Sequence, residues 1–405
     1  MEPELAVALP AAGAACVTAL RPRPQLGLAL GAVLGLGGLA AVILSPPGLA
    51  SDALGIPLSL SAPSRAMLIV AASALALVVI FAPLQAERSA LLRWGLAGLA
   101  GMTAIAAAPS LDIVALVLVA MIVLQAAASS RRPLEVRLRA PALAVALLGL
   151  GLVFTRLQGP AVLGRFGAVG LVAGLAAALG ALPYAHQFDP DERTATSPIP
   201  WMAFVGPVLA VVVVNRAHEL LPGDAAALGA MLISLGLVNM FWACLTAWGT
   251  ATAAMAWRYS FMADWGLALC GLGLALPDAQ ASSLLMMSTI LLVRLPVYLW
   301  SRQSLREKVQ TDRPVNLIVA AALAGSAPFA GFAARVLLLR GATVIYWPFA
   351  LILAAGMLLW LPSSIRLGRS LGVPKGRQLL GIVIALALSV GLGLYPRALL
   401  LLAGL

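Results

Sequence analysis

Residues 257–274, WRYSFMADWGLALCGLGL, decide the fold of this chain. The stretch is almost wholly apolar, yet it carries an acid, Asp264, at its middle and a base, Arg258, near its start. Similar runs recur along the chain: 62% of the 405 residues are hydrophobic and 10% are charged, against roughly 25% charged in an ordinary soluble domain. A water-soluble fold cannot hide so much apolar surface, so lipid is the solvent for most of the chain.

The apolar runs are long and continuous, and they do not alternate with period two. This excludes a β-barrel and leaves helices to satisfy the backbone in lipid. We predict an all-α fold, a polytopic transmembrane helical bundle of about 14 spans in a single membrane domain, because about 20 residues cross the hydrocarbon core. The predicted spans are 4–20, 25–45, 63–85, 89–109, 110–129, 137–156, 162–184, 198–216, 223–246, 252–276, 281–301, 313–339, 343–365 and 378–403.

The loops between these spans differ in charge. In a soluble protein the formal charge of +11 would suggest a nucleic-acid partner, but here the charges sit in short loops and report topology. Basic residues concentrate in odd-numbered loops, which we place in the cytoplasm. Both termini are then outside a multi-pass protein of the cell inner membrane. The odd loops carry Arg21, Arg23, Arg88, Arg93, Arg131, Arg132, Arg137, Arg139, Arg302, Arg306, Lys308, Arg313, Arg366, Arg369, Lys375 and Arg377.

The seventh loop, residues 186–193, is the exception, because it is acidic. Asp189, Asp191 and Glu192 lie on the side predicted to face the cytoplasm. A contact with another subunit and a solvated loop both explain this charge, and the sequence leaves both open.

No motif points to a cofactor or an enzyme active site. The chain has no GxGxxG loop, Walker motif or CxxC pair, and its three cysteines, Cys16, Cys244 and Cys270, lack metal-ligand spacing. No paired carboxylates or nucleophile–base arrangement stand out. We therefore predict no cofactor, no metal and no catalytic residue. The expected partners are the lipid bilayer and other membrane subunits, not nucleic acid.

Charged residues inside the predicted spans are the candidate functional residues. Asp264, Arg294 and Arg335 lie within spans, and Arg258 lies near a span end. An ionisable group at such depth should face the bundle and find a partner. Asp264 therefore either locks helices together with an arginine or forms part of a proton path. The arginines can set the local field but cannot easily carry protons, because guanidinium stays charged.

Four motifs, in order, resemble those of the antiporter-like membrane subunits of respiratory complex I, also found in Mrp-type cation antiporters and membrane-bound hydrogenases. They are LPYAHQFDPDERTATSPIPWMAF at 182–204, AAMAWRYSFMADWGLALCGL at 253–272, LAGSAPFAGFAARVLL at 323–338 and GLGLYPRALL at 391–400. The matching positions are Pro183, Tyr184, Pro198, Tyr259, Ser260, Ala263, Gly266, Leu323, Ala324, Gly325, Pro328, Ala330, Gly331, Phe332 and Ala334.

The resemblance implies broken helices in inverted repeats. Pro198 and Pro207 would mark the first broken helix, and Pro328 and Gly331 the second. Residues 4–109 would form peripheral N-terminal helices, 110–246 the first repeat-like half, and 252–403 the second half with the C-terminal helices. The chain would then be part of an NADH:quinone oxidoreductase-like translocase, without a catalytic site of its own.

The departures from the family pattern concern its ion relay. Family members that move protons use a buried glutamate and several buried lysines, and these align here at Leu118, Val208, Ala254 and Arg335, with a family histidine at Asp264. Both lysines of this chain lie in loops. A mainly structural subunit is therefore one hypothesis. Residual ion conduction through Asp264 and Arg335 is another, in a complex, an Mrp-type antiporter subunit or a stand-alone transporter.

Overall fold

The computed structural model describes residues 3–48, 51–53, 56–82, 85–128, 134–157, 161–182 and 201–405. Pro183, Tyr184, Pro198 and the acidic seventh loop therefore lie outside the described residues. Contacts between residues divide the chain into two compact units, with the main boundary at Ala225. We call the N-terminal one unit 1 and the C-terminal one unit 2.

Unit 1 consists of apolar helices and one short antiparallel hairpin, in which Ser51 pairs with Leu58. Two of its helices cross at glycines: a Cβ atom on Gly170 would lie 2.6 Å from the Gly151 Cα atom, so only small residues permit this approach. The elements of unit 1 are α1 (Pro3–Ala19), α2 (Pro24–Leu44), β1 (Ser51–Ala53), β2 (Ile56–Leu58), α3 (Ala62–Ile80), α4 (Gln85–Ala107), α5 (Leu111–Ala128), α6 (Leu134–Arg156), α7 (Ala161–Leu179), α8 (Trp201–Leu220) and the 3₁₀ turn Pro222–Asp224.

Unit 2 contains helices that are interrupted more often. One π-helical turn, Ile290–Arg294, joins two of its helices, and two further interruptions lie at residues 325–329 and at Trp360. The helices of unit 2 are α9 (Ala225–Gly249), α10 (Ala253–Leu274), α11 (Pro277–Thr289), α12 (Leu295–Glu307), α13 (Pro314–Ala324), α14 (Ala330–Ile345), α15 (Trp347–Leu359), α16 (Leu361–Arg369), α17 (Gly376–Leu394) and α18 (Arg397–Leu402).

The predicted all-α membrane fold is confirmed. Within the described ranges, nine helices are long and apolar enough to cross a membrane, and four shorter apolar helices accompany them. Each of the predicted spans coincides with a helix or with two consecutive helices. The hairpin β1–β2 is a small addition that the apolar pattern did not indicate.

Helix α8 continues through Pro207, and the segment before α8 lies outside the described residues, so the assignment of Pro198 and Pro207 to a broken helix stays a prediction. Proline removes one backbone donor from a helix, but membrane helices tolerate this loss when neighbouring groups and local adjustment satisfy the freed carbonyl. The second predicted break is found between α13 and α14, where Pro328 lies and where Gly331 follows in the first turn of α14.

Contacts near the helix ends fit the predicted alternation of loops. Within each unit, every such contact joins two odd-numbered loops or two even-numbered loops, or the span ends beside them. A chain that crosses a bilayer back and forth places those loops on the same side. Which side faces the cytoplasm stays a prediction from charge. These contacts are the Arg156–Asp112 ion pair, the Arg216 bond to the Ala108 carbonyl (3.2 Å), the Arg340–Asp278 pair (3.0 Å), the Arg369–Asp312 pair (2.5 Å) and the Arg366 bond to the Thr250 carbonyl (2.7 Å).

Candidate functional site

Three of the predicted charges meet in the interior of unit 2. Asp264 on α10 is 1% exposed, Arg294 is 1% exposed and Arg335 on α14 is 8% exposed. Asp264 Oδ2 lies 2.6 Å from Arg294 Nε. Arg335 is close enough to interact electrostatically with both. The sequence left open whether Asp264 pairs with an arginine or forms part of a proton path; in the structure the arginine beside it is Arg294.

The Asp264–Arg294 contact is an ion pair without the alignment of a hydrogen bond, since neither Oδ2 nor Nε has a hydrogen-bond partner of good geometry. Charges buried this deeply are costly to desolvate, and their attraction offsets that cost only while both partners are present. The pair therefore links α10 to the α11–α12 segment.

The π turn Ile290–Arg294 positions Arg294. The Leu295 backbone N–H donates to the Ile290 carbonyl, five residues back, which is the wider π spacing. Pro296 follows directly, and a proline ring clashes with the carbonyl four residues earlier in a regular α-helix. We infer that the wider turn accommodates Pro296 and aims Arg294 into the interior.

The guanidinium of Arg294 has further partners besides Asp264. It donates from Nη1 to Ser260 Oγ, and from Nη2 to the Leu323 carbonyl at 3.2 Å. It also lies over the Trp360 ring, 5.7 Å from the ring centroid, within the range of a cation–π contact. Arg294 thus joins α10, the end of α13 and the α15–α16 junction.

The break after α13 exposes two backbone carbonyls to these arginines. Gly325 has φ +66°, and the Ser326 and Gly325 N–H groups bond back to the Ala321 and Ala322 carbonyls, which is a Schellman ending. The carbonyls of Leu323 and Ala324 receive no hydrogen bond from a backbone N–H group of the helix ending. Arg294 and the Trp360 indole Nε1 (3.3 Å) bind the first.

Arg335 binds the second of these carbonyls. Its Nη1 donates to the Ala324 carbonyl, and its guanidinium packs against Gly325. A Cβ atom at position 325 would be 2.6 Å from Arg335 Cζ, so this position requires glycine both for space and for its positive φ. Gly331 packs here too, because a Cβ atom on it would lie 3.1 Å from Gly325 Cα.

The electrostatics of the cluster follow from these contacts. Asp264, Arg294 and Arg335 together carry a formal charge of +1. The C-terminal end of a helix carries roughly half a negative charge on its free carbonyls, so the end of α13 offsets part of the excess. Both arginines are therefore stabilised by backbone as well as by the carboxylate. Arg335 Nε remains a buried donor without an acceptor.

The remaining predicted residues lie apart from this cluster or contribute less to it. Arg258 is half-buried on α10, six residues before Asp264. In unit 1, the positions aligned with the family glutamate and a family lysine, Leu118 and Val208, are buried in an apolar environment. The described residues contain no group of histidine, cysteine or carboxylate side chains able to hold a metal ion.

The structure adds residues that the sequence did not single out as part of the site. Ser260 lies one turn before Asp264 on the same helix face, and that spacing could have identified it. The role of Trp360 and of the Leu323 and Ala324 carbonyls has no sequence signal, because backbone acceptors and contacts between separate helices do not show in a pattern of residue types.

Comparisons with known proteins agree with this architecture. No protein-family model matches the sequence, and no curated protein matches it. Among solved structures, a chain of respiratory complex I from Thermus thermophilus with bound NADH has a TM-score of 0.77 at 16% identity, over 98% of this chain and 97% of that chain.

Two other kinds of complex contain similar chains. In the Mrp complex from Dietzia sp. DQ12-45-1b, the TM-score is 0.77 at 16% identity, over 99% of this chain and 51% of that chain. In the archaeal membrane-bound sulfane sulfur reductase, it is 0.75 at 16% identity, over 96% of this chain and 75% of that chain. This chain therefore has the fold of the antiporter-like membrane subunits of complex I-type and Mrp-type assemblies.

Proposed function

We propose that this protein is a membrane-arm subunit of a complex I-like or hydrogenase-like redox-driven ion pump, in which its role is mainly structural. The whole-length fold likeness to a chain of complex I supports a place in such an arm. The proposed partners are the neighbouring membrane subunits and the lipids of the inner membrane.

The small number of buried titratable side chains, and their pairing, support a mainly structural role. Asp264 is the only buried carboxylate in the described part of the chain, and Arg294 pairs with it directly. Leu118 and Val208 are apolar, and the resemblance aligns them with charged residues of family members that move protons. A chain of exchangeable protons needs several titratable groups in sequence, and guanidinium groups do not release protons readily.

The Asp264–Arg294 pair supplies a structural role that does not require ion movement. It fixes three segments around the break between α13 and α14: helix α10, the π turn and the end of α13. Such a junction keeps the interrupted helix in shape while neighbouring subunits move ions. The chain then acts as a rigid spacer in the membrane arm.

The test is Asp264→Asn in the assembled complex, with proton movement and assembly measured separately. The structural role predicts that the variant lowers assembly or thermal stability, while each complex that does assemble pumps normally. The matched control is Asp312→Asn, the same chemical change in an exposed pair with Arg369. Normal assembly with abolished proton movement would contradict the proposal.

The second candidate function is an Mrp-type cation/proton antiporter subunit with residual conduction through Asp264 and Arg335. The specific observation in its favour is the buried Nε atom of Arg335, which has no acceptor among the described residues and could bind water. Reconstitution of the purified chain alone in vesicles distinguishes the two: a transporter dissipates a proton gradient unaided, whereas an arm subunit does not.

A further inference from the structure

Two positive charges approach each other in unit 1: Arg93 on α4 and Arg21 in the turn between α1 and α2. Arg93 is half-buried and Arg21 is exposed. They are close enough to repel each other electrostatically, and no carboxylate adds a balancing attraction at Arg93. Like charges cost more free energy at the edge of an apolar fold than in water, because the local dielectric constant is lower. An anion between the two cations turns that repulsion into attraction.

The packing of α4 against α1 and α2 determines where Arg93 lies. A Cβ atom on Gly31 would lie 2.5 Å from Val17 Cγ2 and 3.1 Å from Leu92 Cδ2, so these three residues share one level. Val17 belongs to the last turn of α1. Arg93 directly follows Leu92, about one helical turn deeper than the α1–α2 turn. Its long aliphatic stem lets the guanidinium reach back to the level of Arg21.

The described residues offer these arginines no acid. Arg93 Nε has no hydrogen-bond acceptor. Neither Arg21 nor Arg23, the other base of the turn, forms an ion pair with a described carboxylate. Glu87, the acid nearest to Arg93 in sequence, is not free. Three positive charges therefore remain at this end of unit 1 without a counter-ion from the part of the chain that the structure describes.

An aromatic side chain places the three arginines at the membrane interface. The Arg93 guanidinium carbon lies 5.0 Å from the centroid of the Trp94 ring, within the range of a cation–π contact, and Trp94 is half-buried. Tryptophan is enriched at the level of lipid headgroups. Directly after the turn, α2 presents the exposed apolar side chains of Leu26 and Leu30, which suit hydrocarbon. The arginines thus lie between water and hydrocarbon, on the side predicted to face the cytoplasm.

We propose that Arg21, Arg23 and Arg93 bind the phosphate group of an anionic phospholipid at the α1–α2 turn. A planar guanidinium donates two parallel hydrogen bonds to phosphate oxygens, so arginines from two segments can hold one phosphate between them. Basic pockets between helices on the cytoplasmic side suit such headgroups. A phospholipid fits better than an acidic protein segment, because its phosphate lies at the depth of Trp94. The site is independent of the proposed structural role, since it involves neither Asp264 nor the break after α13.

The experiment uses the full chain, purified and delipidated in neutral detergent, with binding of dioleoylphosphatidylglycerol and dioleoylphosphatidylcholine measured by native mass spectrometry. We expect the wild type to prefer phosphatidylglycerol. Arg93→Gln and Arg21→Gln should each weaken that binding by about tenfold to a hundredfold, the range for hydrogen bonds to charged groups. The matched control is Arg165→Gln, which removes the same charge from an exposed arginine at the opposite predicted side of unit 1. It should change binding by less than about threefold.

Two further measurements keep the proposal open to refutation. Without lipid, Arg21→Gln should unfold at the same temperature as the wild type or above it, since it removes a repulsion. A clear loss of lipid-free stability would reveal an internal partner and overturn the proposal. Phosphatidylglycerol binding that neither substitution changes would also overturn it, and would leave the arginines to an acidic segment of another subunit. Equal stabilisation by inorganic phosphate would assign the site to a free ion and so reject the lipid.

Discussion

Units 1 and 2 differ in what they bury. Among the described residues of unit 1, the buried polar side chains are the hydroxyls of Ser45, Ser64 and Thr103, and Ser45 and Thr103 donate to carbonyls of their own helices. Among its described residues, unit 2 buries one carboxylate and three arginines.

The backbone explains why the charges of unit 2 are retained. Its helix break leaves the Leu323 and Ala324 carbonyls without helical donors, and Arg294 and Arg335 bind them. In unit 1, Arg65, Arg88 and Arg216 also bind backbone carbonyls near helix ends, but none of these arginines is buried. The buried charges of the central cluster thus accompany interrupted backbone, and the following predictions test that comparison.

The largest effect is expected from breaking the central pair. Arg294→Met leaves Asp264 buried and unpaired, and should lower the free energy of unfolding by about 3–5 kcal/mol. The measurement is equilibrium unfolding of the purified chain in mixed micelles. The double variant Asp264→Leu/Arg294→Met removes both charges and should recover much of the loss. Equal damage in the single and double variants would reject the pairing.

The next effect concerns unit 1. Val208→Lys places a charge in a fully buried, apolar part of α8 and should cost about 2.5–3.5 kcal/mol. Val208→Met is the control, since it adds similar length without charge. Unfolding equilibria that do not distinguish lysine from methionine would show that unit 1 accommodates charge as readily as unit 2.

A smaller effect is expected at the break itself. Gly325→Ala puts a Cβ atom against the Arg335 guanidinium and forces alanine to a positive φ, at a cost of about 1–3 kcal/mol. Gly223→Ala provides the control, because a Cβ atom there meets nothing within 4 Å. A thermal midpoint unchanged by Gly325→Ala would mean that Arg335 does not depend on this backbone.

The smallest effects are expected at exposed pairs, and these should be alike in both units. Asp112→Asn breaks the pair with Arg156 in unit 1, and Asp312→Asn breaks the pair with Arg369 in unit 2. Each should change stability by less than about 1 kcal/mol, and less still at high salt. A large loss in one unit would show that the contrast between them extends to their surfaces.

The positions of the helices were more predictable from the sequence than the positions of their interruptions. Continuous apolar runs located the spans, because about twenty apolar residues have few alternatives in lipid. The break that Pro328 and Gly331 would mark was implied by the family resemblance and not by the apolar pattern. At Pro207 the helix is continuous, and a lone proline in a sequence permits either a break or a continuous helix, so packing decides between them.

The candidate site was predictable only in its charges. The cost of burying Asp264 indicates that it needs an arginine, but sequence separation does not say whether that arginine is Arg258, Arg294 or Arg335. The choice depends on the π turn before Pro296, which rotates one side chain inward. It also depends on two backbone carbonyls, which leave no trace in a pattern of residue types.

The ending of α13 has a consequence for how the protein is made. This helix has 11 residues, too few to span a bilayer, and its last carbonyls are capped by side chains from other segments. During biosynthesis, Arg294 leaves the ribosome before α13, whereas Arg335 leaves after it. The carbonyls at the end of α13 therefore cannot all be capped while segments enter the membrane one at a time. It reaches its final form only after α14 has entered the membrane beside it, which makes this junction a late step in biogenesis.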